Sequence, residues 1–131
     1  IPVLVMFVDL DRLKYINDTF GHEYGDFAIV SIAKAMQKHC DADAITARTG
    51  GDEFIVLESA KDEEAGMLLA DKIRAELSAL RKKMQLPFDL SASIGVVVAQ
   101  PGGENALESY VKRAEMLMYE EKTEKKVSRD S

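Results

Sequence analysis

The sequence predicts an α+β domain on the split βαβ plan, an antiparallel sheet covered by helices with one extra helix at the C-terminus. Three observations predict it. Val3–Val8 and Leu90–Ala99 are apolar runs rich in β-branched residues, as expected of strands covered on both faces. A turn at Gly50-Gly51 separates two shorter strand-like runs, which makes a hairpin. Helical periodicity fills the remaining intervals, giving the order β-α-β-β-α-β-α.

The elements follow one another with little connecting chain. Val3–Val8 ends at Asp9, and Asp11–Gly25 reads as a polar loop or short helix punctuated by Gly21 and Gly25. Asp26–Cys40 carries Ala28, Ile29, Ile32, Ala33 and Met36 at helical spacing. Ala44–Arg48 and Glu53–Leu57 are the hairpin strands. Lys61–Met84 is a long amphipathic helix with Leu68, Leu69, Ile73, Leu77 and Leu80 on one stripe. After Pro101-Gly102-Gly103, Asn105–Lys122 is a last helix, with Leu107, Tyr110, Val111, Ala114, Leu117 and Met118 as its inner face. The stretch from Lys122 to Ser131 reads as a disordered tail.

Composition narrows the function classes. At 131 residues the chain is the size of one domain, and 47% hydrophobic residues suffice for a core. A net charge of −6 argues against a protein that tracks a nucleic-acid backbone, which needs a basic stripe. It does not argue against a nucleotide, because metal ions screen phosphates from carboxylates. Cys40 is the single cysteine, so no internal disulfide forms, and the expectation is a buried or half-buried helix residue. The longest apolar runs, Ile1–Val8 and Ile94–Ala99, are too short to cross a bilayer.

In the split βαβ plan the second hairpin strand lies antiparallel beside the first strand. The Gly50-Gly51 turn then meets the exit of that strand, so Asp9, Asp11, Asp52 and Glu53 converge. Clustered carboxylates repel unless a cation neutralises them, and hard oxygen ligands suit Mg²⁺ or Mn²⁺. Such ions polarise a phosphoryl group and activate an attacking hydroxyl. Asp11 reads equally well as a turn residue. Asp9 does not, because it closes a wholly apolar strand where an unpaired acid is costly.

Four ordered blocks then carry a resemblance. Gly50-Gly51-Asp52-Glu53-Phe54 reads GGDEF, with Arg48 two residues before it. Asp9-Leu10-Asp11-Arg12-Leu13-Lys14-Tyr15-Ile16-Asn17-Asp18, followed by Gly21-His22 and Gly25-Asp26, resembles D-x-D-x-F-K-x-x-N-D…G-H-x-x-G-D, with Leu13 in place of Phe. Ser93-Ile94-Gly95 resembles S-I-G, and Ala114 through Tyr119 to Lys122 resembles A-D-x-A-L-Y-x-A-K. Together they resemble the GGDEF domain, the catalytic domain of diguanylate cyclases, over nearly the whole chain. The resemblance implies a ferredoxin-like, nucleotidyl cyclase-like fold and condensation of two GTP into cyclic di-GMP.

The resemblance also implies roles. Asp9 and Asp52 hold metal, with the Leu10 carbonyl as a further ligand. Asp52 helps deprotonate the attacking 3′-hydroxyl, and Glu53 supports the site. Lys14 neutralises phosphate charge. Asn17 and Asp26 read the guanine edge, whose N1–H and N2 amine a carboxylate can accept together. Asp26 can also serve as a helix N-cap. His22 lines the pocket or is merely structural. Lys122 meets the terminal phosphates, and Lys126, four residues on, either joins it or belongs to a frayed end.

Two departures from the family pattern stand out. An R-x-x-D product site is replaced by Asp41-Ala42-Asp43-Ala44, which predicts no product inhibition there. A segment like D-x-L-T-G-L-x-N-R before the first strand is missing. The expectation is one domain over residues 1–131, excised from a longer signalling protein. Its expected partners are GTP, a second copy of itself in a transient homodimer, and an upstream sensory or dimerisation domain. A cytoplasmic location follows, with no nucleic acid and no direct membrane contact, although the full-length protein can be anchored. The rival functions are a catalytically silent GTP-binding regulatory domain and a pure interaction or product-receptor domain.

Overall fold

The computed structural model describes residues 2–60, 62–100 and 107–130. The order is β1 (Val3–Leu10), α1 (Leu13–Phe20), α2 (His22–His39), β2 (Ile45–Arg48), β3 (Glu53–Ser59), α3 (Glu63–Met84), β4 (Ala92–Ala99) and α4 (Leu107–Asp130). The four strands form one antiparallel sheet in the order β2-β3-β1-β4. This is the expected α+β plan.

β1 is central because both its faces are apolar. Leu4, Met6, Val8 and Leu10 point to one face, where α2 and α3 add Ile32, Met36, Leu69, Ile73 and Leu77. Val5 and Phe7 point to the other, where α4 adds Tyr110, Ala114 and Met118. Strand alternation explains the division. Each such large side chain contributes about 1.5–3 kcal/mol when fully buried.

α4 lies close against the sheet because Gly95 of β4 has no side chain. A Cβ there would fall 1.9 Å from the Ala114 carbonyl oxygen and 2.7 Å from the Met118 amide. The close approach buries a narrow stripe, and Leu107 and Leu117, assigned above to the inner face, are 47% and 41% exposed. Leu68 of α3 likewise faces outward. Asn105 lies outside the described residues.

Several boundaries differ from expectation. α2 starts at His22 rather than Asp26, because Gly21, at φ 102°, turns the chain directly from α1 into α2. Asp26 therefore lies inside the helix and is not an N-cap. α4 continues to Asp130 rather than dissolving after Lys122. No Gly or Pro interrupts it there, and Lys125 pairs with Glu121 one turn back at 3.3 Å. Cys40 is half-buried just past the end of α2, and burial, with Glu58 and Asp41 nearby, pushes its thiol up to about 11. It is not a nucleophile at neutral pH.

Candidate active site

The exit of β1 and the tip of the β2–β3 hairpin are one structure. Asp9 pairs with Glu53 across the β1–β3 ladder. One residue further, the Leu10 amide donates to the Asp52 carbonyl at 2.9 Å. Arg48 braces the turn, its guanidinium donating to the Gly50 carbonyl at 3.1 Å and to the Gly51 carbonyl at 2.5 Å. Glu53 lies beneath the turn, its carboxylate 3.6 Å from where a Gly50 Cβ would stand. Residues separated by some forty positions in the chain thus share one end of the sheet.

Asp9 is 4% exposed. Burial pushes its carboxyl up to about 7; Lys122 opposes that shift and the neighbouring Asp52 adds to it. Its Oδ1 has no hydrogen-bond partner among the described residues. Lys122 Nζ approaches at 3.3 Å and donates to the Leu10 carbonyl at 3.2 Å. A buried acid with an unmatched oxygen is costly in a ligand-free protein, and a hard divalent cation would satisfy it.

The donor set fits Mg²⁺ or Mn²⁺. Two carboxylates, Asp9 and Asp52, and the Leu10 carbonyl are hard oxygens. Among the described residues no trio of Asp, Glu, His and Cys side chains gathers into a closed cage. An incomplete protein shell is what Mg²⁺ takes when substrate phosphates and water supply the rest.

Asp11 plays a different part from Asp9. It accepts from Ser93 Oγ at 2.7 Å, Ser91 Oγ at 2.8 Å and Lys125 Nζ at 2.6 Å. Burial works against its ionisation, but these donors outweigh it and hold the carboxyl below its ordinary value. With its oxygens engaged, Asp11 anchors β4 and α4 to the β1 exit and has no oxygen open to a ligand, unlike Asp9.

The residues expected to read the nucleotide lie on the α1–α2 pair. Asn17 packs on Gly25, where a Cβ would stand 1.8 Å from its Oδ1, and that oxygen is buried without a partner among the described residues. Asp26 follows Gly25 and is exposed, as are His22 and Lys14. Gly25→Ala would push the Asn17 amide aside, since the three nearest atoms all belong to that side chain. GTP affinity is expected to fall about tenfold, with melting temperature little changed. Isothermal titration beside thermal melting checks this.

The two C-terminal lysines separate. Lys122 enters the site, whereas Lys126 is exposed. Lys125 takes the inward position, because three and not four residues past Lys122 returns α4 to the sheet edge there. Lys125 also donates to the Ala92 carbonyl at 2.8 Å. Glu121 beside it accepts from the Ile94 amide at 2.9 Å and pairs with Arg74 of α3 at 2.9 Å, tying α3, α4 and β4 together. Sequence reading missed Lys125, Ser91 and Glu121; nothing local marks them, since each finds its partner across long sequence separations. A cavity of about 450 Å³ opens beside Asp11 between Tyr15, Arg81 and Phe88. Of its basic groups, Arg81 pairs with Asp89, Arg12 lies over the Tyr15 ring and Lys125 is held by Asp11.

Comparison with known proteins identifies the family. The family model described as "Diguanylate cyclase, GGDEF domain" matches residues 1–128. The probable diguanylate cyclase DgcT of Escherichia coli is 36% identical over 92% of this chain and 27% of its own length. Diguanylate cyclase VdcA of Vibrio cholerae is 36% identical over 92% of this chain and 36% of its own length. The chain thus spans about a third or less of these relatives. Among solved structures, the GGDEF domain of YfiN (TpbB) from Pseudomonas aeruginosa superposes with a TM-score of 0.81 at 32% identity, covering 94% of this chain and 77% of that one. The GGDEF domain of DgcB from Caulobacter crescentus, in complex with c-di-GMP, gives 0.81 at 25% identity, covering 93% and 72%. On the family match and on the four motifs in their expected places, this chain belongs to the GGDEF family of diguanylate cyclase domains.

Proposed function

We propose that this domain condenses two molecules of GTP into cyclic di-GMP and two pyrophosphates, with Mg²⁺ or Mn²⁺ bound at Asp9, Asp52 and the Leu10 carbonyl. The observation that carries the reading is the convergence of two carboxylates and a carbonyl at the β1 exit, with a buried Asp9 oxygen left unmatched. Bound there, the divalent ion supplies charge neutralisation at the α-phosphate and acidifies the attacking 3′-hydroxyl.

The chain's own residues do the rest. Asp52 stands at the hairpin tip as the acceptor for the 3′-hydroxyl proton, and Glu53 beneath the turn holds that tip in place. Lys14, exposed on α1 without an ion pair among the described residues, is available to developing phosphate charge. Lys122 reaches the terminal phosphates. Asn17 and Asp26 select guanine, with His22 beside them at the start of α2.

The product is two-fold symmetric and one domain binds one GTP, so two copies face each other, each 3′-hydroxyl attacking its neighbour's α-phosphate. Proximity is the main contribution of that encounter. Specific activity is therefore expected to rise with protein concentration, checked by pyrophosphate release over a dilution series. In the longer protein an attached sensory or dimerisation domain sets that encounter. The described residues contain no helix long and apolar enough to cross a membrane; a cytoplasmic site of action, where GTP is found, completes the proposal.

Incubating the concentrated domain with GTP and Mg²⁺ and detecting cyclic di-GMP by mass spectrometry tests the reading. GTP binding without pyrophosphate release would instead indicate a regulatory nucleotide-binding domain.

A further inference from the structure

We propose that Lys122 is the resident counter-ion of the metal site and must leave it before a divalent ion enters, so that metal loading waits on nucleotide phosphate. The inference rests on the cyclase reading above. Lys122 Nζ lies 3.2 Å from the Leu10 carbonyl, 3.3 Å from Asp9 Oδ1 and 3.6 Å from Asp11 Oδ1. Two of those oxygens belong to the residues that would hold the metal. An ammonium and a divalent ion repel strongly at such separations and cannot share the position.

The neighbouring lysine shows why Lys122 is the one that moves. Lys125 is held by Asp11 at 2.6 Å, the Ala92 carbonyl at 2.8 Å and Glu121 at 3.3 Å, and Ser91 and Ser93 complete the Asp11 carboxylate. Nothing in that cluster is left for a ligand. Lys122 has a looser hold, because its approach to Asp9 is an ion pair and leaves Oδ1 without a hydrogen bond. Its side chain is 29% exposed, so neighbours do not enclose it. A flexible four-carbon stem lets the ammonium swing to a phosphate while α4 stays seated on Gly95.

The consequence is a coupling. A nucleotide phosphate draws Lys122 away and frees the Asp9 and Leu10 oxygens; by linkage, metal raises nucleotide affinity by the same factor. Without nucleotide, the tethered cation keeps metal affinity low.

The test is Mn²⁺ binding without nucleotide, followed by the electron paramagnetic resonance signal of free Mn²⁺ in a titration of the folded domain. Lys122→Met is expected to bind Mn²⁺ at least about tenfold tighter than wild type. Lys126→Met, which makes the same change in net charge at an exposed position, should not, and Lys122→Arg, which retains a cation, should stay near wild type. Circular dichroism melts establish that each variant is folded. Asp9-dependent Mn²⁺ binding that is no tighter in Lys122→Met than in wild type would overturn the proposal and leave the metal site standing. Equal tightening by Lys122→Met and Lys122→Arg would overturn it too, since packing and not charge would be the cause. Mn²⁺ binding unaffected by Asp9→Asn in every background would remove the metal site itself, and the proposal with it.

Discussion

Asp9→Asn is expected to lower cyclic di-GMP formation by at least about a thousandfold while raising the stability of the metal-free domain above neutral pH. The two effects have one cause. Asp9 is 4% exposed beside Asp52, where burial outweighs the nearby Lys122 ammonium and penalises the ionised carboxylate. Asparagine keeps the shape and removes the charge, so the metal loses a ligand and the apoprotein loses a cost. The pH dependence carries a definite sign. The folded-state value is about 7 against an ordinary 3.8. As pH rises from about 4, the unfolded chain releases this proton first, and the folded protein is penalised until the group ionises near 7. This contribution to stability is fully present below pH 4, declines between 4 and 7, and is gone above. Asp9→Asn removes that decline, a gain of about 2–4 kcal/mol at pH 8. Urea unfolding in EDTA at pH 5 and pH 8 measures it. An identical pH slope in both proteins would mean that Asp9 is not desolvated as described. Asp11 works oppositely, since its value is depressed. Its contribution is present above the ordinary carboxylate range and disappears as pH falls through the folded-state value.

Gly95→Ala carries the second large effect. The added Cβ would stand 1.9 Å from the Ala114 carbonyl and 2.7 Å from the Met118 amide. Both are backbone of α4, so no rotamer change relieves the clash and the helix itself must lift. Overpacking of this kind costs about 3 kcal/mol, or about 10 °C in melting temperature for a domain this size. Activity should fall further than stability alone requires, because α4 carries Lys122 and Lys125 to the site. Gly51→Ala is the control. Nothing lies within 4 Å of its Cβ position, so little loss of stability is expected. Thermal melts by circular dichroism compare the two, and a Gly95→Ala melt within about 2 °C of wild type would show that α4 is not seated as closely as described.

Strands, the hairpin and the meeting of Asp9 with the Gly-Gly turn were legible in the sequence. Each depends on short-range pattern: β-branched runs, a two-glycine turn, and the order of elements that places the turn beside the β1 exit. The motifs brought Asp9, Asp52, Asn17 and Lys122 forward because their spacing is local and specific. The chain alone could not distinguish Lys125 from Lys126, since the choice depends on how α4 is rotated against the sheet. That rotation is set by Gly95, Ala114 and Met118 packing across some twenty residues. Nor could it tell that Asp11 is held by three donors while Asp9 keeps an oxygen without a hydrogen bond. Both stand at the end of the same strand, but Ser91, Ser93 and Lys125 reach Asp11 from eighty and more residues away. Local pattern determines which segments become strands and helices, because their hydrogen bonds and apolar faces repeat within a few residues. Which buried charges end paired and which stay open was decided by the tertiary structure, because a partner from a distant element either arrives or does not.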